Sequence, residues 1–178
     1  MKKYILIVDD EKDICLTLSK ILSSKGFSVI IASNSDAAIN EIKNTSIDLV
    51  LLDVWLEGSK KNGLELLKIM RNYNPDTPVI LISGHANIDI AVKAIKEGAF
   101  YFIEKPFKSE KLFLIINRAL ENAFLKKKYE IYKENLENDE EFIGNTVSIN
   151  NLKKKINQIA NTNARVLITG EPGTGKNF

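Results

Sequence analysis

The sequence Tyr4-Ile5-Leu6-Ile7-Val8-Asp9-Asp10 near the amino terminus is an uninterrupted apolar run that ends at two aspartates. Further short runs of the same kind follow it along the chain: Ser28–Ile31, Leu49–Leu52, Val79–Ile82 and Phe100–Ile103. Each run is continuous rather than alternating between apolar and polar residues, which is typical of strands buried on both faces of a sheet. The sequence therefore predicts five buried strands.

Segments with apolar residues at helical spacing separate these runs. One such segment ends at Gly26 and another at Gly98, and glycine is common just after the last turn of a helix. Their apolar positions are Ile14, Leu18, Ile21 and Leu22 in the first and Ile88, Ala91, Val92 and Ile95 in the second. A third helix is predicted from Gly63 to about Arg71. Alternation of strand and helix predicts an α/β fold with a five-stranded parallel sheet covered on both faces.

The carboxyl-terminal third has a different pattern. An amphipathic helix is predicted from Leu112 to Ala123, followed by a helical linker at residues 126–140. The segment Lys133 to Glu141, which overlaps the end of this linker, is charged and rich in Asn. A short helix around Ile156 precedes Arg165-Val166-Leu167-Ile168-Thr169, which we interpret as a strand entering a glycine-rich turn. These patterns divide the chain into residues 1–125, 126–140 and 141–178.

The overall composition limits the possible classes of protein. The chain has 178 residues, of which 44% are hydrophobic and 27% charged, with a formal net charge of +2. This composition is that of an ordinary globular protein and indicates neither a nucleic acid nor a membrane as partner. The single cysteine, Cys15, cannot form an internal disulfide, and no secretory leader is evident. We therefore expect a cytoplasmic protein.

Acidic residues stand where the predicted strands end. Asp9 and Asp10 follow the first strand and Asp53 follows the third. The carboxyl ends of parallel strands meet at one edge of a sheet, so we expect these carboxylates to converge. Crowded carboxylates require a neutralising cation, and an all-oxygen set of ligands suits Mg²⁺. The alternative, that each aspartate only caps a helix or stabilises a turn, stays open for any one of them.

A hydroxyl group and a cation are predicted at the same edge. Ser83 ends the fourth strand and Lys105, followed by Pro106, ends the fifth. Around a metal-bound carboxylate, these groups would neutralise the oxygens of an acyl phosphate. The pattern therefore fits phosphoryl transfer.

Four short motifs together resemble the receiver domain of two-component response regulators. They are Val8-Asp9-Asp10-Glu11, Leu51-Leu52-Asp53, Ile82-Ser83-Gly84-His85 and Glu104-Lys105-Pro106-Phe107. The resemblance covers about residues 1–125 and implies a flavodoxin-like (βα)5 fold. It also implies a switch that is not itself an enzyme and that receives its phosphoryl group from a sensor histidine kinase.

The resemblance implies a role for each matching position. Asp53 would be the phosphoacceptor, and Ser83 and Lys105 would contact the phosphoryl group. Phe102 would be the aromatic residue that turns inward on activation, although plain core packing explains it equally well. Mg²⁺ would be held by Asp9, Asp10, Asp53 and the backbone carbonyl of Trp55. His85, the only histidine, is interpreted as having no chemical role.

The segment Asp53 to Leu67 resembles the NtrX branch of the NtrC-like regulators, and residues 141–178 resemble the truncated start of that family's sigma-54 interaction AAA+ ATPase domain. Gly170, Gly173, Thr174, Gly175 and Lys176 fit a phosphate-binding Walker A loop, which would be vestigial here. Asn177 stands where the general motif has Ser or Thr. For a complete parent protein the family implies ATP, DNA and sigma-54 RNA polymerase as ligands or partners. An NtrY-like kinase and a second copy of the chain are the partners expected for residues 1–125.

Two alternatives remain beside the phosphorylated switch. The first is a pseudo-receiver, a protein-binding module that keeps the fold without the chemistry. The second is an ATP-binding fragment built on the glycine-rich loop. The acidic set with Ser83 and Lys105 argues against the first, and the absence of later catalytic motifs argues against ATP turnover by the second.

Overall fold

The computed structural model describes residues 2–84, 88–139, 146–160, 162 and 165–171. Strands and helices alternate as predicted, and the helix between the second and third strands, which was not assigned from its own pattern, completes the alternation. Their order is β1 (Tyr4–Val8), α1 (Lys12–Ser24), β2 (Ser28–Ala32), α2 (Ser35–Asn44), β3 (Leu49–Asp53), α3 (Gly63–Tyr73), β4 (Val79–Ser83), α4 (Ile88–Lys96), β5 (Tyr101–Glu104), α5 (Ser109–Asp139) and α6 (Val147–Ile159).

The strands form one five-stranded sheet in the order β2-β1-β3-β4-β5, with every pairing parallel. The predicted α/β fold with a five-stranded parallel sheet is therefore confirmed. The strand order reverses at β1, because the chain leaves β1 towards β2 on one side and β3 lies on the other. In open parallel sheets, ligands bind beside the carboxyl ends of the strands at this reversal.

Two apolar layers cover the sheet, because successive side chains of a strand point to opposite faces. On one face, Leu6, Val50 and Leu52 pack with residues of α2, α3 and α4. On the other face, Ile5, Ile7 and Leu51 pack with residues of α1 and α5. Because both faces are buried, the strands read as continuous apolar runs, and the polar residues that follow them are left at the edge of the sheet.

Local signals set the carboxyl end of α1 and the amino end of α3. Gly26, two residues after the end of α1, adopts φ +89°, a conformation that favours glycine. At the start of α3, the Asn62 side chain accepts a hydrogen bond from the Glu65 amide, and the Glu65 side chain accepts one from the Asn62 amide. This reciprocal capping box fixes the point at which the chain re-enters a helix after β3.

The chain divides into two compact units, Met1–Lys127 and Lys128–Phe178. The long helix α5 continues to Asp139, so the predicted linker segment is helical over its described residues.

The strand predicted at Arg165–Thr169, in the second unit, is wrong, since residues 165–171 have no regular secondary structure. A strand needs a neighbouring strand to satisfy its backbone groups, and the described residues of this unit supply none. None of the described helices combines the length and the apolar character that a membrane span requires.

Candidate phosphoryl-transfer site

Three elements bring charged side chains together at the carboxyl edge of the sheet. Asp9 directly follows β1, Asp53 is the last residue of β3 and Lys105 directly follows β5. Asp9 and Asp53 are almost completely buried, with 3% and 6% of their surfaces exposed. The residues lie far apart in sequence and meet because parallel strands end together, as the sequence predicted for the carboxylates of Asp9 and Asp53 and for Lys105.

The Lys105 ammonium group lies between carboxylates. Its Nζ atom is 2.6 Å from Asp53 Oδ2, 3.0 Å from Asp9 Oδ2 and 3.5 Å from Glu11 Oε1. Only 16% of the Lys105 side chain is exposed, so water screens its contacts with the buried Asp9 and Asp53 weakly, whereas Glu11 lies exposed. The cation therefore neutralises carboxylates whose charges would otherwise repel one another.

Burial and pairing shift the pKa values of this cluster in defined directions. Burial would lower the pKa of Lys105, but hydrogen bonds to Asp53 and Asp9 outweigh it, so its pKa is raised and the amine stays charged. Burial raises the pKa of the Asp9 carboxyl, against the opposing effects of Lys105 and the Glu11 amide. The site is thus a desolvated cluster whose charges depend on one another.

The backbone holds both aspartate side chains in place. Asp9 Oδ1 accepts a hydrogen bond from the Glu11 amide at 2.9 Å, and Asp53 Oδ1 accepts one from the Trp55 amide at 3.1 Å. In both cases a carboxylate binds the amide two residues later, which is the geometry of an Asx turn. The second oxygen of each carboxylate is thereby directed at Lys105.

Glu11 is a site residue that the sequence analysis missed. One oxygen each from Asp9, Glu11 and Asp53 lie within 4.8 Å of one another, and Asp10 is outside this group. Glu11 is the N-cap of α1; its amide donates to Asp9 Oδ1, and its side-chain Oε1 lies 3.5 Å from Lys105 Nζ. Its position immediately after two aspartates was the available signal. The assignment of Asp10 as a metal ligand stays a prediction.

The remaining predicted residues lie around this cluster. Ser83 is fully buried at the end of β4, where its carbonyl accepts a hydrogen bond from the Lys105 amide at 2.8 Å. Phe102 pairs in register with Leu81 and packs, half-buried, against the apolar layer beneath α4. Trp55 is half exposed, in the segment between β3 and α3. Ser83 and Lys105 are thus neighbours across β4 and β5.

The donor set fits a hard divalent cation. It consists entirely of carboxylate oxygens, which Mg²⁺ prefers over nitrogen or sulfur ligands. The ammonium group of Lys105 already lies within 3.5 Å of an oxygen from each of the three carboxylates, which shows that these carboxylates converge on a position of positive charge.

An apolar groove of about 420 Å³ adjoins the cluster. It runs between α1 and the segment after β5, and Lys105 lies in its wall. The residues that line it include Ile14, Ile21, Phe107 and Leu112. Lys105 thus belongs both to the wall of this groove and to the charged cluster.

Several predicted residues lie outside the described residues: His85, Gly173, Thr174, Gly175 and Lys176. Gly170 is described, and it lies exposed in the irregular segment 165–171. The Walker A loop therefore stays a prediction from the sequence.

Family models match two parts of the chain. Residues 5–117 match the response regulator receiver domain, and residues 143–178 match the sigma-54 interaction domain. The nitrogen assimilation regulatory protein NtrX of Azorhizobium caulinodans is 43% identical over 176 residues, which are 99% of this chain and 38% of that protein. The chain thus spans well under half the length of this relative.

Solved structures agree with these matches. The crystal structure of NtrX from Brucella abortus in complex with ATP has a TM-score of 0.72 and 41% identity, and the match covers 93% of this chain and 36% of that one. The beryllofluoride-activated NtrC4 receiver domain dimer has a TM-score of 0.64 and 38% identity, with coverage of 67% and 98%.

Proposed function

Since the chain belongs to the response regulators with a receiver domain and resembles NtrX over nearly its whole length, we propose that it is switched by a phosphoryl group on Asp53. The observation that carries this proposal is the contact of Asp53 Oδ2 with Lys105 Nζ at 2.6 Å, beside the buried carboxylate of Asp9 and the exposed carboxylate of Glu11. Such a site holds a nucleophilic carboxylate beside the cation that its phosphorylated form needs.

The phosphoryl group comes from a phosphohistidine on a sensor histidine kinase. An Asp53 oxygen attacks phosphorus and forms a P–O bond while the P–N bond breaks. The electron pair of that bond returns to the imidazole nitrogen, which takes up a proton. The product is an acyl phosphate on Asp53. The groove beside Lys105 is where the donor domain binds, because its wall includes a residue of the site itself.

The residues of the cluster divide the work of this transfer. Lys105 pairs with the phosphoryl oxygens as they leave the donor, and Ser83 donates its hydroxyl hydrogen to them once transfer is complete. Phe102 then moves inward and changes the surface around α4 and β5. The backbone amide of Trp55 orients Asp53 throughout.

Mg²⁺ is the cofactor of the proposed reaction. Asp9, Asp10, Asp53 and the Trp55 carbonyl would hold it, with Glu11 as a further ligand suggested by the cluster. When bound, it supplies positive charge that offsets the charge of the phosphoryl oxygens.

We propose partners for the receiver unit and further ones for a full-length parent protein. An NtrY-like sensor kinase is the phosphodonor, and a second copy of the chain binds through the receiver unit, as in the NtrC4 receiver dimer. A full-length parent would also bind sigma-54 RNA polymerase, DNA and ATP. The protein acts in the cytoplasm, and its receiver unit is not itself an enzyme.

Intact-mass measurement after incubation with Mg²⁺ and acetyl phosphate tests the proposal. We expect the wild-type chain to gain the mass of one phosphoryl group and Asp53→Asn to gain none. Asp48→Asn is the matched control, since Asp48 pairs with Lys3 away from the cluster, and it should gain the group like wild type. An unchanged wild-type mass would favour the pseudo-receiver alternative.

ATP binding is a second candidate function for residues 141–178, favoured by the match to the sigma-54 interaction domain. The Brucella abortus relative was crystallised with ATP. Calorimetric titration of the chain with ATP tests this function. We expect heat of binding in the wild-type chain and none in Lys176→Ala. Equal heats in both proteins would exclude it.

A further inference from the structure

The segment between β3 and α3 closes on the backbone of the phosphoacceptor. It leaves the sheet at Asp53 and returns at Gly63, the first residue of α3. A Cβ atom at Gly63 would lie 2.1 Å from the Asp53 carbonyl oxygen and 2.8 Å from Val54 Cα. Any side chain at this position would have to displace the backbone of Asp53 itself.

One peptide unit connects Gly63 to the Asp53 carboxylate. The Gly63 amide donates a hydrogen bond to the Val54 carbonyl at 2.9 Å. That carbonyl belongs to the same peptide unit as the Trp55 amide, which donates to Asp53 Oδ1 at 3.1 Å. A peptide unit is planar, and in the trans form its oxygen and hydrogen point in opposite directions. A rotation at the carbonyl end therefore moves the amide that holds the carboxylate.

The neighbouring contacts leave this unit little freedom. The Val54 amide donates to the Ile82 carbonyl at 2.9 Å, which ties the start of the segment to β4. Asn62 caps α3 and fixes the direction in which Gly63 enters the helix. The Asp53–Val54 peptide is thus tied to β4, and the Val54–Trp55 peptide that follows it is tied to the first residue of α3.

We propose that Gly63 is a positioning residue for phosphoryl transfer: through the Val54–Trp55 peptide it holds the Asp53 carboxylate in its reactive orientation. This inference rests on the proposed function of Asp53. Because Oδ1 is held by the Trp55 amide, Oδ2 stays directed at Lys105. A shift of a reacting group by about 1 Å can cost up to about a hundredfold in rate.

Gly63→Ala is the variant that tests the positioning role, and Gly58→Ala is its control in the same segment. Gly58 has φ +70° and nothing within 4 Å of an added Cβ, so its substitution strains the backbone without touching Asp53. We expect Gly63→Ala to lower the maximal rate of phosphorylation by acetyl phosphate at saturating Mg²⁺ by about tenfold to a hundredfold. Gly58→Ala should stay within about twofold of wild type. Equal rates in both variants would overturn the inference.

The NMR signal of the Trp55 amide separates positioning from general damage to the fold. Its proton shift should move in Asp53→Asn and in Gly63→Ala, and stay in place in Gly58→Ala. If Gly63→Ala does not fold, the test is made on the wild-type chain. The NMR scalar coupling between the Gly63 nitrogen and the Val54 carbonyl carbon reports the hydrogen bond between these residues, and its absence would refute the proposal. A wild-type chain that shows this coupling but takes no phosphoryl group would refute the function of Asp53 instead.

Discussion

Replacing Lys105 by Met should destabilise the receiver unit strongly when no divalent cation is present. Methionine keeps most of the side-chain length and removes the charge. The Lys105 ammonium group contacts Asp9 and Asp53, whose side chains are 3% and 7% exposed, so its loss leaves buried carboxylates unpaired. Removing one partner of a buried ion pair costs about 3–5 kcal/mol. At roughly 3–5 °C per kcal/mol for a domain of this size, Tm should fall by roughly 10 to 25 °C.

Urea unfolding in the presence of EDTA, monitored by circular dichroism, measures the loss in the free energy of unfolding. Lys60→Met is the control, because the contact of Lys60 with Asp36 is exposed on both sides and its loss should leave the unfolding midpoint almost unchanged. Adding Mg²⁺ should recover stability in Lys105→Met, since a ligand at 100 times its Kd adds about 2.7 kcal/mol. A loss below about 1 kcal/mol in EDTA would show that Lys105 does not neutralise the cluster.

Two further properties of the receiver unit can be predicted. Burial raises the pKa of the Cys15 thiol from 9.0 to about 11. As pH rises, the thiol of the unfolded chain loses its proton before the thiol of the folded chain, so the free energy of unfolding measured in urea should fall between about pH 9 and about pH 11. Cys15→Ala should remove this part of the pH dependence. Asn62→Ala should lower the free energy of unfolding by about 1 kcal/mol, because the capping box of α3 is lost. An unchanged midpoint in urea would contradict the second prediction, and a slope that persists in Cys15→Ala would contradict the first.

The sheet and the convergence of its charged residues were predictable from the sequence for a physical reason. Strands buried on both faces appear as continuous apolar runs, and parallel strands place their carboxyl ends at one edge. Asp9, Asp53 and Lys105 could therefore be assigned to one site without knowledge of the strand order.

The contacts of Glu11 and Gly63 could not be predicted in the same way. The position of the Glu11 carboxylate depends on the turn between β1 and α1, and no apolar periodicity describes that turn. The approach of Gly63 to the Asp53 carbonyl depends on how the segment after β3 closes. Both contacts depend on the geometry of a loop, and individual hydrogen bonds rather than a repeating pattern of apolar residues determine that geometry.

The wrong strand at Arg165–Thr169 shows the limit of local patterns. The apolar run Val166-Leu167-Ile168 has the composition of a strand, yet these residues are exposed and irregular. Strand formation depends on pairing with another segment, whereas helix α6 satisfies its backbone groups within itself. The same local evidence was therefore sufficient for α6 and insufficient for the strand.

Locating the phosphoryl group tests the central proposal most directly. The chain is incubated with Mg²⁺ and acetyl phosphate, reduced with borohydride, which converts an aspartyl phosphate to homoserine, and sequenced by tandem mass spectrometry. We expect homoserine at position 53 and at no other aspartate. Homoserine at a different position, or none in a sample that carries the added phosphoryl mass, would contradict the assignment of Asp53 as the phosphoacceptor.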